Sequence, residues 1–158
     1  MSATSSFQTE RFQRDEYAKW FNDFASWTHA VTVTSKPSRK DFPRSKFPMV
    51  NATAHFVNVL NRKALGNARA RKGNRMACVS VFGDGAYGDN PHVHLAFQAP
   101  FGMSYDEMYQ AIEHSIQLTK GLGSEYDIRP YTSEGWLKYM FDHGTNGLLV
   151  ELISPAKH

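Results

Sequence analysis

The spacing of apolar positions changes several times along the chain, and each change marks an element. Between residues 9 and 27, Phe12, Tyr17, Trp20, Phe21 and Phe24 recur at helical spacing, whereas residues 28–34 alternate and are β-branched, which predicts a strand. Residues 36–48 hold three prolines and read as a loop. A helix is predicted over 50–65, with Phe56, Val57, Leu60 and Ala64 on one face and Gly66 as its stop. After a basic connector over 67–74, strands are predicted at 76–82 and 92–98, joined as a hairpin through a turn rich in Gly, Asp and Asn. Ser104 and Glu107 form a capping box opening a helix that runs to Gly121. A fourth strand is expected at 126–131, a short helix at 134–143, and a last apolar strand at 148–153.

The middle of this order is β-α-β-β-α-β. It predicts an α+β domain built on an antiparallel, ferredoxin-like sheet of the split β-α-β type, with its helices packed on one face. One domain is expected over residues 1–158, the first eight being polar and frayed. The length of 158 residues and the 41% hydrophobic content suffice for a core. No apolar run approaches the roughly 18 residues of a membrane span, so a cytoplasmic protein with no membrane partner is expected. The lone Cys78 excludes an internal disulfide framework and a multi-cysteine zinc site.

A net charge of +3 conceals a segregation. Lys36, Arg39, Lys40, Arg44, Lys46, Arg62, Lys63, Arg69, Arg71, Lys72 and Arg75 lie in one segment with a single acid, Asp41, giving it +10, while the remainder of the chain sums to −7. Such a block favours a polyanion such as nucleic acid. These eleven residues are the expected contacts to DNA phosphates.

Two stretches carry candidate chemistry. In His92-Val93-His94 the imidazoles fall on one face of a strand, about 7 Å apart along the backbone, and can share a divalent ion if a third ligand converges. Asp84, expected opposite His92 across the hairpin, is one candidate. Such a site suits Lewis-acid work on a phosphodiester; the plain alternative is two half-buried strand histidines. In Trp136-Leu137-Lys138-Tyr139-Met140-Phe141-Asp142-His143, Tyr139 and His143 are four apart on one helical face. Tyr139 could attack phosphorus near a metal-held phosphate, His143 could be a further ligand, and Lys138 or Asp142 could assist with charge or proton transfer.

Taken in order on this topology, residues 28–34, His92-Val93-His94 followed by Leu95-Ala96-Phe97, and Trp136-Leu137-Lys138-Tyr139 resemble the three motifs of the HUH endonucleases. Within that superfamily the chain resembles the Rep initiators of rolling-circle replication in plasmids and single-stranded DNA phages. The resemblance spans residues 28–143. It implies that Tyr139 nicks single-stranded DNA at an origin or hairpin, leaving a 5′-phosphotyrosine link and a free 3′-hydroxyl. It further implies that His92 and His94, with a third residue, hold Mg²⁺ or Mn²⁺. A host helicase and polymerase would be partners, because no helicase domain follows. Many Rep proteins place a Glu on the strand before the histidines, where Phe82-Gly83-Asp84 offers only Asp84. Related single-stranded DNA transposases place a ligand four residues after the tyrosine, which His143 matches, so Asp84 and His143 both stand as third ligands. Ala96 departs from the third histidine of relaxases. The alternatives are a transposase or relaxase of the same superfamily, or a non-catalytic single-stranded nucleic-acid-binding domain on the same fold.

Overall fold

The computed structural model describes residues 3–35, 46–83 and 91–141, with residues 148, 153 and 155. The aromatic helical run forms α1 (Ala3–Phe24), and the β-branched alternation after it forms β1 (His29–Ser35). Next come α2 (Lys46–Leu65), the five-residue α3 (Asn67–Arg71), and the antiparallel pair β2 (Cys78–Gly83) and β3 (His92–Phe97). The chain continues through α4 (Tyr105–Gln117), β4 (Leu122–Pro130) and the short α5 (Gly135–Met140). Ser104 caps α4 by accepting from the Glu107 N–H, as the capping box predicts. Gly66 ends α2 at φ +86°, a conformation that L side chains rarely adopt.

The strand order is β2-β3-β1-β4, and every pairing is antiparallel. β3 therefore lies between β1 and β2, the split β-α-β arrangement expected from the element order. The helices, however, cover both faces of the sheet rather than one. Val31, Val33, Val93, Leu95, Phe97 and Ile128 pack with Phe56, Leu60, Ile112 and Ile116 of α2 and α4. Val79, Val81 and Ala96 pack instead with Ala18 and Phe21 of α1 and Leu137 and Met140 of α5. The physical reason lies in β2 and β3, which are buried on both faces: Val79, Val81 and Ala96 add apolar surface opposite that of Val93, Leu95 and Phe97. A strand buried on one side only would alternate with polar residues.

Several boundaries move, and α4 ends at Gln117 rather than at Gly121. α1 starts at Ala3, so residues 3–8 are helical where fraying was expected. α2 starts at Lys46 inside the expected loop, and Pro48 is tolerated because first-turn N–H groups have no helical partner. The connector over 67–74 contains α3, and β4 begins at Leu122 rather than at Tyr126. Of the last expected strand, Leu148 bridges Val81 and Ile153 packs on the second core; the other positions lie outside the described residues. Among the described residues no helix is long and apolar enough to cross a membrane.

Two buried polar groups hold the first core. Asn61 accepts from the Met76 N–H at 2.9 Å and donates to the Val57 carbonyl at 3.0 Å, fastening α2 to the entry of β2. His29 is fully buried on the α4 side, stacked on Tyr105 at 4.4 Å, with Nε2 3.1 Å from the Tyr105 carbonyl. It begins β1 yet turns away from His92 and His94, because odd positions of β1 face the first core. Burial lowers its pKa below the ordinary 6.5, against the backbone hydrogen bond, which raises it.

Replacing Asn61 with Leu removes the buried side-chain acceptor of the Met76 N–H and should cost about 1–3 kcal/mol in urea-induced unfolding, with the fold retained. The His29 shift fixes the sign of a pH effect. The unfolded state takes up the proton first, so this contribution to stability is complete above the unfolded pKa of 6.5 and is lost as pH falls through the lower folded value. Unfolding curves between pH 7.5 and 4.5 should show that component in the wild type and lack it in His29→Phe.

Candidate active site

Strand register decides which side chains meet on the α1–α5 face. Val81, His94, Thr32 and Asp127 occupy one row across all four strands, since Val81 pairs with His94, His94 with Thr32, and Thr32 with Asp127. The next row brings Gly83 beside His92 and His92 beside Thr34. Two-residue periodicity thus sets both imidazoles of β3 on one face, with ring centroids 4.7 Å apart. Thr32 Oγ1 lies 2.9 Å from His94 Nδ1 and fixes that ring from the neighbouring strand. Such an outer hydroxyl orients an imidazole in the way that second partners orient metal-bound histidines.

The register also corrects one expectation. Gly83, not Asp84, stands opposite His92. A Cβ built on Gly83 would lie 2.6 Å from His92 Nε2, so the missing side chain is the space the imidazole occupies. Asp84 and His143, the two candidates for a third metal ligand, lie outside the described residues. Among the described residues no group of three His, Cys, Asp or Glu converges to hold a metal ion. His92 and His94 remain a paired imidazole donor set suited to one divalent ion.

Tyr139 reaches this pair from α5. Its ring lies 5.0 Å from that of His94, and Trp136, one turn earlier, lies 5.5 Å from the same imidazole. Helical spacing puts Trp136 and Tyr139 on the face that meets β3, while Leu137 and Met140 are buried beneath α1. The Trp136 indole N–H donates to the Leu95 carbonyl at 3.2 Å and ties α5 to the histidine strand. Tyr139 is 52% exposed, so its hydroxyl is within reach of a ligand in solvent. Tyr131 precedes the helix and donates to Asn22 Oδ1 of α1, and burial pushes its pKa up to about 12. Lys138 is paired with Glu134 at 3.9 Å, a half-exposed contact of small energetic weight.

Beside Tyr139 a cleft of about 360 Å³ opens over β1 and β4. Trp136 and Tyr139 form one wall, Ala30 and Thr32 line it from β1, and Asp127 and Arg129 line it from β4. Sequence reasoning gave no role to Trp136, Thr32, Gly83, Asp127 or Arg129. Only for Trp136 was there a local signal, its place three residues before Tyr139 in an aromatic helix.

The basic residues do not gather at this site. Arg62, Lys63, Arg69, Arg71 and Lys72 are exposed at the end of α2 and along α3, where the chain turns into the start of β2. Cys78 pairs with Phe97 and Gly83 with His92, so that turn lies at the opposite end of the sheet from His92, roughly 17 Å along β3. Arg75 is part-buried and donates to the Ala70 and Asn74 carbonyls, shaping the turn itself. Lys36, Arg39, Lys40 and Arg44 lie outside the described residues, as does the side chain of Lys46.

Gly83→Ala tests the packing of the site without touching either histidine. The added methyl should displace the His92 imidazole, read as a change in its ring resonances by ¹H–¹⁵N NMR. His29, on the far face, should stay unmoved, and stability should change by less than about 1 kcal/mol, since an imidazole can swing away.

Comparison of the chain with protein-family models, with curated proteins and with solved structures finds no match, and the site therefore rests on its own residues and their geometry.

Proposed function

We propose that the protein is a metal-dependent, single-tyrosine endonuclease and strand transferase acting on single-stranded DNA, of the HUH type, that initiates rolling-circle replication. The observation that carries this reading is the edge-on contact of the Tyr139 ring with His94 beside His92, with the phenol accessible and a cleft next to it. A tyrosine that only packed against the sheet would not need two imidazoles of one strand beneath it.

His92 and His94 would hold the ion, Mg²⁺ or Mn²⁺, with Asp84 or His143 as the remaining protein ligand. When bound, the ion supplies Lewis-acid polarisation of the scissile phosphate. Thr32 keeps His94 in its ligating orientation. Trp136 fixes α5 on β3, so the Tyr139 oxygen is delivered to the phosphorus from a rigid support. In the reaction the Tyr139 oxygen forms a bond to phosphorus as the phosphorus–O3′ bond breaks. The phenolic proton passes to solvent base and the departing 3′ oxygen ends as a hydroxyl. Lys138, next to the nucleophile, adds positive potential near the phosphate while paired with Glu134. Attack of another 3′-hydroxyl on the phosphotyrosine reverses the step and rejoins DNA.

The test is covalent capture. The protein is incubated with a degenerate single-stranded library in Mn²⁺ or in EDTA and resolved on denaturing gels. A metal-dependent adduct should form with the wild type and vanish in Tyr139→Phe, while His92→Ala and His94→Ala should abolish it. Thr32→Val, which leaves both ligands in place, should slow adduct formation by roughly 10–100-fold. An adduct that persists in Tyr139→Phe would overturn the assignment of the nucleophile. Salt-sensitive binding with no adduct in any library would establish a non-catalytic binding domain instead.

A further inference from the structure

We infer that the cleft beside Tyr139 is a subsite for one unpaired nucleobase, and that Arg129 with Asp127 selects guanine there. The inference rests on the reading of this face as a single-stranded nucleic-acid site and names what that site discriminates.

The cleft has three kinds of wall. Trp136 and Tyr139 supply aromatic surface, their rings 5.5 Å apart and inclined by 37°, and rings of this kind are stacking platforms for bases of any sequence. Ala30, Thr32 and Gly135 are small, which leaves room for a planar group to enter. Its volume of about 360 Å³ lies within the range of small-molecule sites. Asp127 and Arg129 are two apart on β4, so both project from the cleft face, and they form an ion pair there.

That pair decides between phosphate and base as the occupant. A subsite for phosphate would be lined by cations, whereas Asp127 repels an anion and neutralises the nearest guanidinium. The pair instead offers an array of donors beside an acceptor. Guanine presents O6 and N7 as adjacent acceptors, matched by the fork of an arginine, and also carries an exocyclic amino donor that a carboxylate can accept. Adenine presents a donor next to its N7, and neither pyrimidine presents two adjacent acceptors beside an amino donor on the next edge. Asp127 pairs with Thr32 and Arg129 with Ala30, and only β1 separates them from the histidine strand, so the selected base belongs to a nucleotide close to the scissile phosphate.

The test reads binding separately from chemistry. Four pentanucleotides, dT-dT-dX-dT-dT with X as each base, are titrated in EDTA into ¹⁵N-labelled protein, following the Trp136 indole resonance. Expected is about ten-fold tighter binding for X = G, with Trp136 shifted by all four. Arg129→Met should remove the preference for G while stacking persists, and Arg129→Lys should keep the salt dependence but still lose the preference, because an ammonium lacks the fork. Arg129 is 71% exposed, so neither variant threatens the fold. Equal binding of all four pentamers, or a loss in Arg129→Met that is uniform over X and restored by Lys, would overturn guanine selection and make Arg129 a phosphate contact. A Trp136 resonance that does not move with any pentamer would overturn the base subsite itself. Guanine preference without covalent capture on any DNA would sink the nuclease reading and leave this subsite standing. Covalent capture through Tyr139 without the preference would do the reverse.

Discussion

Everything at the candidate site depends on the two-residue period of β3 between two apolar layers. Val93, Leu95 and Phe97 are buried against α2 and α4, and this fixes His92 and His94 on the other face, with Ala96 completing the second core. A slip of one residue would drive the imidazoles into the first core and turn Phe97 out of it, at a cost of several kcal/mol in lost burial alone. The pairing with β1 and β2 therefore cannot drift. The rows that bring Thr32 and Gly83 to the histidines are fixed by hydrophobic packing on the face they do not occupy.

The second half of the site is held less directly. α5 has six residues, too few to be stable as an isolated helix. Its conformation is imposed by Leu137, Met140 and the following Phe141, whose ring lies 5.9 Å from that of Phe21 on α1. Tyr17 adds a further contact to Phe141, at 6.0 Å. The N-terminal helix thus acts at a distance on Tyr139: it clamps the buried side of α5, and helical geometry presents the tyrosine on the side that remains open. The Trp136 indole joins the same helix to the backbone of β3, so Tyr139 and the histidines belong to one rigid unit.

Charge is arranged differently from chemistry. The exposed cations of α2 and α3 gather where β2 begins, and the imidazoles lie where β2 ends. A nucleic acid held by both would extend along the sheet rather than sit in one pocket. Arg75 shows why a charge count alone misleads, since its guanidinium is spent on two backbone carbonyls of the turn. Among the described residues, the cleft lies on the β1–β4 side of this face, beside α5.

The order of elements, the split pairing of the strands and the sharing of a face by His92 and His94 were legible in the chain, because each follows from a local period or a cap. The element order placed the helices on one face; the second helical layer, packed on Val79, Val81 and Ala96, emerged only from the burial of β2 and β3 on both sides. What the chain could not reveal is which residues from distant elements meet. Thr32 at His94, the seating of the His92 imidazole over Gly83, the Asp127–Arg129 pair beside Tyr139 and the turning of His29 into the opposite core are set by register. Register depends on how two whole layers bury their side chains together, a long-range quantity that no local window contains.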